Sequence, residues 1–204
     1  STLRSVALDI EACVTPGEEH GPLSLLQLCT PKGVVFLVDV LTLDHKAVCE
    51  HLQPLLTTPH ITKLMHDCRR DAESLSAQLG IRLQGVVDLQ LYIAMGMRGK
   101  TRKDGVRMGL FKALREYVGV RDCDRFASIS DRMQAGEAVW DERPLSPLLQ
   151  EYASMDVLHL HELYKELRRR HAELLDPVQH LTERYLSIYA LGRLRNGDDE
   201  DDDP

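Results

Sequence analysis

Apolar and polar positions alternate through three short segments near the start of the chain. Val6 to Ala12, Leu23 to Cys29 and Val34 to Leu41 each read as a strand. The breaks between them, Thr15-Pro16-Gly17 and Thr30-Pro31-Lys32-Gly33, carry turn-forming residues. Strands this closely spaced predict an antiparallel start. Beyond Leu43 the period changes. A helix is expected near 44–56, a short strand near 61–65, a helix near 71–79 stopped by Gly80, and a strand near 84–87. That is an α/β layout with a mixed sheet.

The second half reads as helical. A segment from Asp88 to about Met95 precedes the most basic stretch of the chain. Its Arg98, Lys100, Arg102, Lys103 and Arg107 fit phosphate contacts and fit an ordinary solvated loop equally well. A helix around Leu110 to Val118 leads into a less regular stretch containing Trp140. Ser146 as N-cap and Pro147 in the first turn then open a long helix. Its apolar stripe runs Leu149, Ala153, Val157, Leu160, Tyr164, Leu167 at steps of three and four. A last helix is expected from about Val178 to Leu194, ending at Gly197.

Composition narrows the class. A chain of 204 residues, 43% of them apolar, can bury a substantial core and fits one domain. No apolar run reaches 18 residues and the start lacks the zones of a secretory signal, so the expectation is a soluble, intracellular protein with no membrane partner. Cytoplasm and nucleus are not distinguished. The chain begins at Ser1, and is expected to be a fragment of something longer. Five cysteines, odd in number and widely spaced, read as reduced thiols. The net charge of −7 hides a split: the six acids of Asp198–Asp203 contribute −6, leaving −1 elsewhere. Such a run reads as a disordered, solvated tail.

The informative residues are acids where a core would put something else. In Asp9-Ile10-Glu11, side-chain alternation places Val6, Leu8 and Ile10 on one face and Ala7, Asp9 and Glu11 on the other. Two neighbouring carboxylates repel when semi-buried, and a divalent cation reverses the sign. The Asp-x-Glu pattern alone says little, since it recurs at Asp71-Ala72-Glu73 and Asp198-Asp199-Glu200. Tyr152 and Asp156, spaced i to i+4, share a helix face at the edge of the buried stripe. Core packing for Tyr152 and a basic partner for Asp156 would explain them equally well. Asp71, taken alone, suits a helix N-cap.

In order and with their flanks, these pieces resemble the DEDD superfamily of 3′-5′ exonucleases, in its tyrosine branch, closest to RNase D-like and Egalitarian-like domains. The resemblance runs from Val6 to about Leu167. It rests on Leu8-Asp9-Ile10-Glu11-Ala12 with Leu23–Leu28, on Lys63–His66 through Asp71 with Val86–Gln90, and on Trp140, Arg143-Pro144-Leu145 and Glu151–Val157. The histidine branch would carry His five residues before the last Asp, where Glu151 stands; Tyr152 matches the tyrosine branch.

The resemblance implies an RNase H-like mixed α/β sheet with an antiparallel first three strands, flanked by helices. It divides the chain into an exonuclease domain (1–175), a helical extension (176–197) and the acidic tail (198–204). It implies that Asp9, Glu11, Asp71 and Asp156 bind two divalent cations, Mg2+ or Mn2+, and that Tyr152 positions the attacking water. The implied substrate is the 3′ end of single-stranded nucleic acid, RNA ahead of DNA, with nucleoside 5′-monophosphates released. The alternative is an RNA-binding adaptor of weak or no activity, with a homodimer or an RNA-processing protein as partner. Asp88, as an N-cap, and His66, as a satisfied rim histidine, are read as structural.

Overall fold

A computed structural model describes residues 3–12, 21–97 and 107–190. Five strands form one sheet: β1 (Ser5–Ala12), β2 (Leu23–Cys29), β3 (Val35–Asp39), β4 (Thr62–Met65) and β5 (Val86–Asp88), in the order β3-β2-β1-β4-β5. The first three pair antiparallel, as expected, and β1, β4 and β5 pair in parallel. Helices α1 (His45–Leu56) and α2 (Arg69–Leu79) supply the crossovers that parallel pairing requires. Val6, Leu8 and Ile10 pack on one face with Val48, Leu56, Ala72 and Leu75. Ala7, Leu64 and Val87 face the opposite layer. That layer holds α3 (Leu89–Met97), α4 (Leu110–Ala113) with the π-helical turn Leu114–Val118, and α7 (Leu160–Arg170). A third cluster, around Phe126, Trp140 and Leu149, joins α5 (Ala127–Gln134) and α6 (Pro147–Leu158) to Leu25 of β2.

The expected long helix is two helices. Ser146 caps α6, its hydroxyl accepting from the Leu149 amide at 3.2 Å. The chain then leaves helical geometry at His159 (φ −102°, ψ 4°) and resumes as α7. Both halves bury the same stripe, so apolar periodicity runs straight through the break. The last helix, α8 (Leu175–Tyr189), starts earlier than Val178, and residues 191–204, with the expected end and the acidic tail, lie outside the described residues. It turns Val178, Thr182, Leu186 and Tyr189 inward against β5, α2 and α3.

Helix α2 begins at Arg69, so Asp71 lies in its first turn and is not its cap; Cys68 holds that position without a side-chain capping bond. The amides of the turn just before the helix are met from another strand. The Asp88 carboxylate accepts from the amides of Asp67 (3.1 Å) and Cys68 (2.9 Å) as well as from Gln90 (2.8 Å) and Leu91 (3.3 Å). Asp88 therefore caps α3, as expected, and also holds the turn that launches α2. The turn needs holding because Asp67 has φ +67°, the left-handed region that non-glycine residues seldom adopt. Asp88→Ala leaves several buried donors unmatched and is expected to cost about 2–4 kcal/mol. Urea unfolding followed by circular dichroism checks this; a loss below about 1 kcal/mol would show that the turn stands without Asp88.

Candidate active site

Strand alternation puts Asp9 and Glu11 on the β1 face that α6 crosses. A register shift in the β1–β2 pairing falls between Glu11 and Ala12, a bulge of the kind that re-aims a side chain. From the opposite side α6 presents Asp156. One carboxyl oxygen each from Asp9, Glu11 and Asp156 lie within 4.8 Å of one another. Asp71, one turn into α2, stands near enough to act electrostatically on Glu11. Its own carboxyl responds to Asp9 and Asp156. The core-stripe acid therefore finds other acids, and the neighbouring Arg69 and Arg70 pair with Asp67 and Glu73 instead.

The electrostatic consequence is large. Burial first, then the charge of Asp67, pushes the Asp9 carboxyl up to about 7. Burial, followed by Asp156, Asp9 and Asp71, holds Glu11 well above the ordinary carboxylate range. Asp71 and Asp156 are raised for the same reasons, burial leading and Asp9 next. Crowded, largely shielded carboxyls are a donor set for hard divalent cations, so Mg2+ or Mn2+ fits the residues present.

Tyr152 lies one turn before Asp156. Its ring is packed between Phe111 (5.5 Å), Phe126 (5.4 Å) and Trp140 (5.8 Å), centroid to centroid. Burial, then Asp156 and Glu11, raises its phenol, and Ser130 shares a hydrogen bond with it. The hydroxyl therefore stays protonated at physiological pH.

Four supporting residues were not anticipated. Arg69 forks onto Asp67, donating from Nε to Oδ1 at 2.7 Å and from Nη2 to Oδ2 at 3.0 Å. The same guanidinium lies over the rings of Tyr185 (5.9 Å) and Tyr189 (5.8 Å) in α8. Side-chain type alone does not signal these, because the contacts join distant parts of the chain. His66 corrects its reading as a satisfied histidine: its Nε2 is buried without a partner. Of the basic stretch, Arg98, Lys100, Arg102 and Lys103 lie outside the described residues. Arg107 is exposed. Burial alone would raise Asp67, but the Arg69 fork, then the charges of Arg69 and Arg107, hold it below the usual range.

Comparison with known proteins identifies the family and the fold. The family model for 3′-5′ exonucleases matches residues 1–172. Ribonuclease D of Xanthomonas oryzae pv. oryzae is 30% identical over 153 residues, covering 74% of this chain and 36% of that protein. The piRNA biogenesis protein EXD1 of Mus musculus is 28% identical over 179 residues, covering 85% of this chain and 30% of that protein. The chain thus spans about a third of the length of these curated relatives. The crystal structure of Trypanosoma brucei RNase D in complex with RNA is 38% identical, with a TM-score of 0.84 over 97% of this chain and 68% of that one. No helix among the described residues is long and apolar enough to cross a membrane.

The raised carboxyls fix a sign for pH dependence. A group whose folded pKa lies above its unfolded value near 4 stabilises the fold below that value and loses the contribution as pH rises, for Asp9 through about 7. In chelator, the melting temperature is expected to fall between pH 5 and pH 7.5. Asp9→Asn should raise it at pH 7.5 and have less effect at pH 5. Scanning calorimetry reads both, and a variant that is destabilised at either pH would contradict the assigned repulsion.

Proposed function

The chain belongs to the 3′-5′ exonuclease family, and from that membership we propose that it hydrolyses the 3′-terminal phosphodiester of single-stranded RNA and releases nucleoside 5′-monophosphates. The observation that carries the reading is the convergence of Asp9, Glu11 and Asp156 oxygens beside Asp71 and Tyr152. Asp9, Glu11, Asp71 and Asp156 would hold two divalent cations. When bound, the cations supply an activated water and charge neutralisation on the phosphate. The protein's part is to hold the carboxyls in register and, through the Tyr152 hydroxyl, to orient the attacking water. RNA is favoured over DNA by kinship with RNase D, one member of which has been seen in complex with RNA. Kinship with the piRNA biogenesis protein EXD1 supports a second reading, an RNA-binding adaptor with the same fold.

One experiment separates the two. With Mn2+, 5′-labelled single-stranded RNA should shorten stepwise while 3′-labelled RNA releases its label at once, and chelator should stop both. Asp9→Asn is expected to lower turnover by at least about 100-fold. Retained RNA binding with no shortening under any metal condition would establish the adaptor. Tyr152→Phe provides a finer check, since a positioned hydroxyl is worth about 100-fold or more in turnover. Unchanged turnover in that variant would remove Tyr152 from the machinery.

A further inference from the structure

Strand β2 is buried along its whole length, yet it carries Ser24 and Gln27 among its apolar residues. The Ser24 hydroxyl donates within reach of Asp141 Oδ1 (3.1 Å) and the Pro22 carbonyl (3.3 Å), which accounts for it as a structural tie. Gln27 is different. It is fully buried at mid-sheet, opposite Asp9 in β1 and Leu37 in β3. Its Nε2 donates to Oε1 of Glu11 at 3.2 Å. Its Oε1 is buried with no hydrogen-bond partner.

Packing does not explain such a residue. Met or Leu would fill the same space without desolvating an amide, and a buried acceptor left unmatched is destabilising. Turning the amide over gives no relief, because its carbonyl would then face the carboxyl oxygens of Glu11. The orientation that orphans Oε1 is the one that serves Glu11.

Glu11 is also where the β1 register shifts, so the backbone alone constrains its side chain weakly. Its carboxyl accepts from the Gln27 amide and places an oxygen within 4.8 Å of oxygens of Asp9 and Asp156. We propose that Gln27 is a positioning residue of the metal centre, holding Glu11 so that its free oxygen faces Asp9 and Asp156. This rests on reading the carboxyl cluster as a divalent-cation site. Residues that orient ligands commonly alter metal affinity or activity by about 10- to 100-fold when removed.

Gln27→Met in the full chain tests it through three readouts: melting in chelator, Mn2+ titration by calorimetry, and turnover of labelled RNA against Mn2+ concentration. The variant is expected to melt no lower than wild type, since the orphaned acceptor is gone. Its Mn2+ affinity should fall about 10- to 100-fold, with the half-saturating Mn2+ concentration rising in step. Saturating Mn2+ should restore turnover, and KM for RNA should not move. Unchanged affinity overturns the proposal. A variant that melts well below wild type, or fails to fold, also overturns it by assigning Gln27 to packing. If wild type binds Mn2+ but leaves RNA intact, the exonuclease reading falls while the affinity shift still decides the role of Gln27. If wild type binds no Mn2+, both fall together.

Discussion

Mutual repulsion among four crowded carboxyls, Asp156 buried and the others half-buried, is the constraint that the rest of this molecule answers. Asp9, Glu11, Asp71 and Asp156 arrive from β1, α2 and α6, three elements that repulsion alone would separate. What keeps them together is apolar burial on both sides of the sheet. Val6, Leu8 and Ile10 anchor β1 from one face, while Leu149 and Ala153 bind α6 into the aromatic cluster around Phe126 and Trp140. Burying such side chains contributes about 1.5–3 kcal/mol each. A handful of them is set against the repulsion within the cluster, and the fold keeps the carboxyls together in spite of it.

The side of the site nearest α8 is held by polar contacts. Asp67 sits in a left-handed conformation, Asp88 fastens its amide, and Arg69 fastens its carboxylate while lying against two tyrosines of α8. Thr182 of α8 accepts from the Asp88 amide at 3.3 Å, and Ser76 of α2 donates to the Ala190 carbonyl at 2.8 Å. Helix α8 lies beyond the residues matched by the family model, yet through these contacts it braces the turn from which Asp71 is presented.

Much of this was legible in the chain because local rules and the global fold agree. Alternation in β1 correctly put Asp9 and Glu11 on one face, the Ser146-Pro147 signal located the start of α6, and i to i+4 spacing put Tyr152 beside Asp156. The break at His159 was not legible, since the stripe continues across it with unchanged period. Asp71 read as a cap because local chemistry could not reveal that a turn held by Asp88, distant in sequence, starts α2 two residues earlier, at Arg69. Gln27 left a faint trace, a long polar side chain in an otherwise apolar strand, but its purpose appears once the register sets it against Asp9 and beside Glu11.

Placement of the tyrosine limits what the site can ask of it. Three aromatic rings fix its plane, and neighbouring carboxyls with burial keep its proton in place. A phenol so constrained is a poor base and a good director, because its hydroxyl has few orientations and a constant protonation state. Asp156 shares its helix, one turn away, so any shift of α6 moves the phenol and a carboxyl of the cluster together. The two functions are thus coupled through one rigid element whose position is set by packing at Leu149 and Ala153, outside the reacting centre.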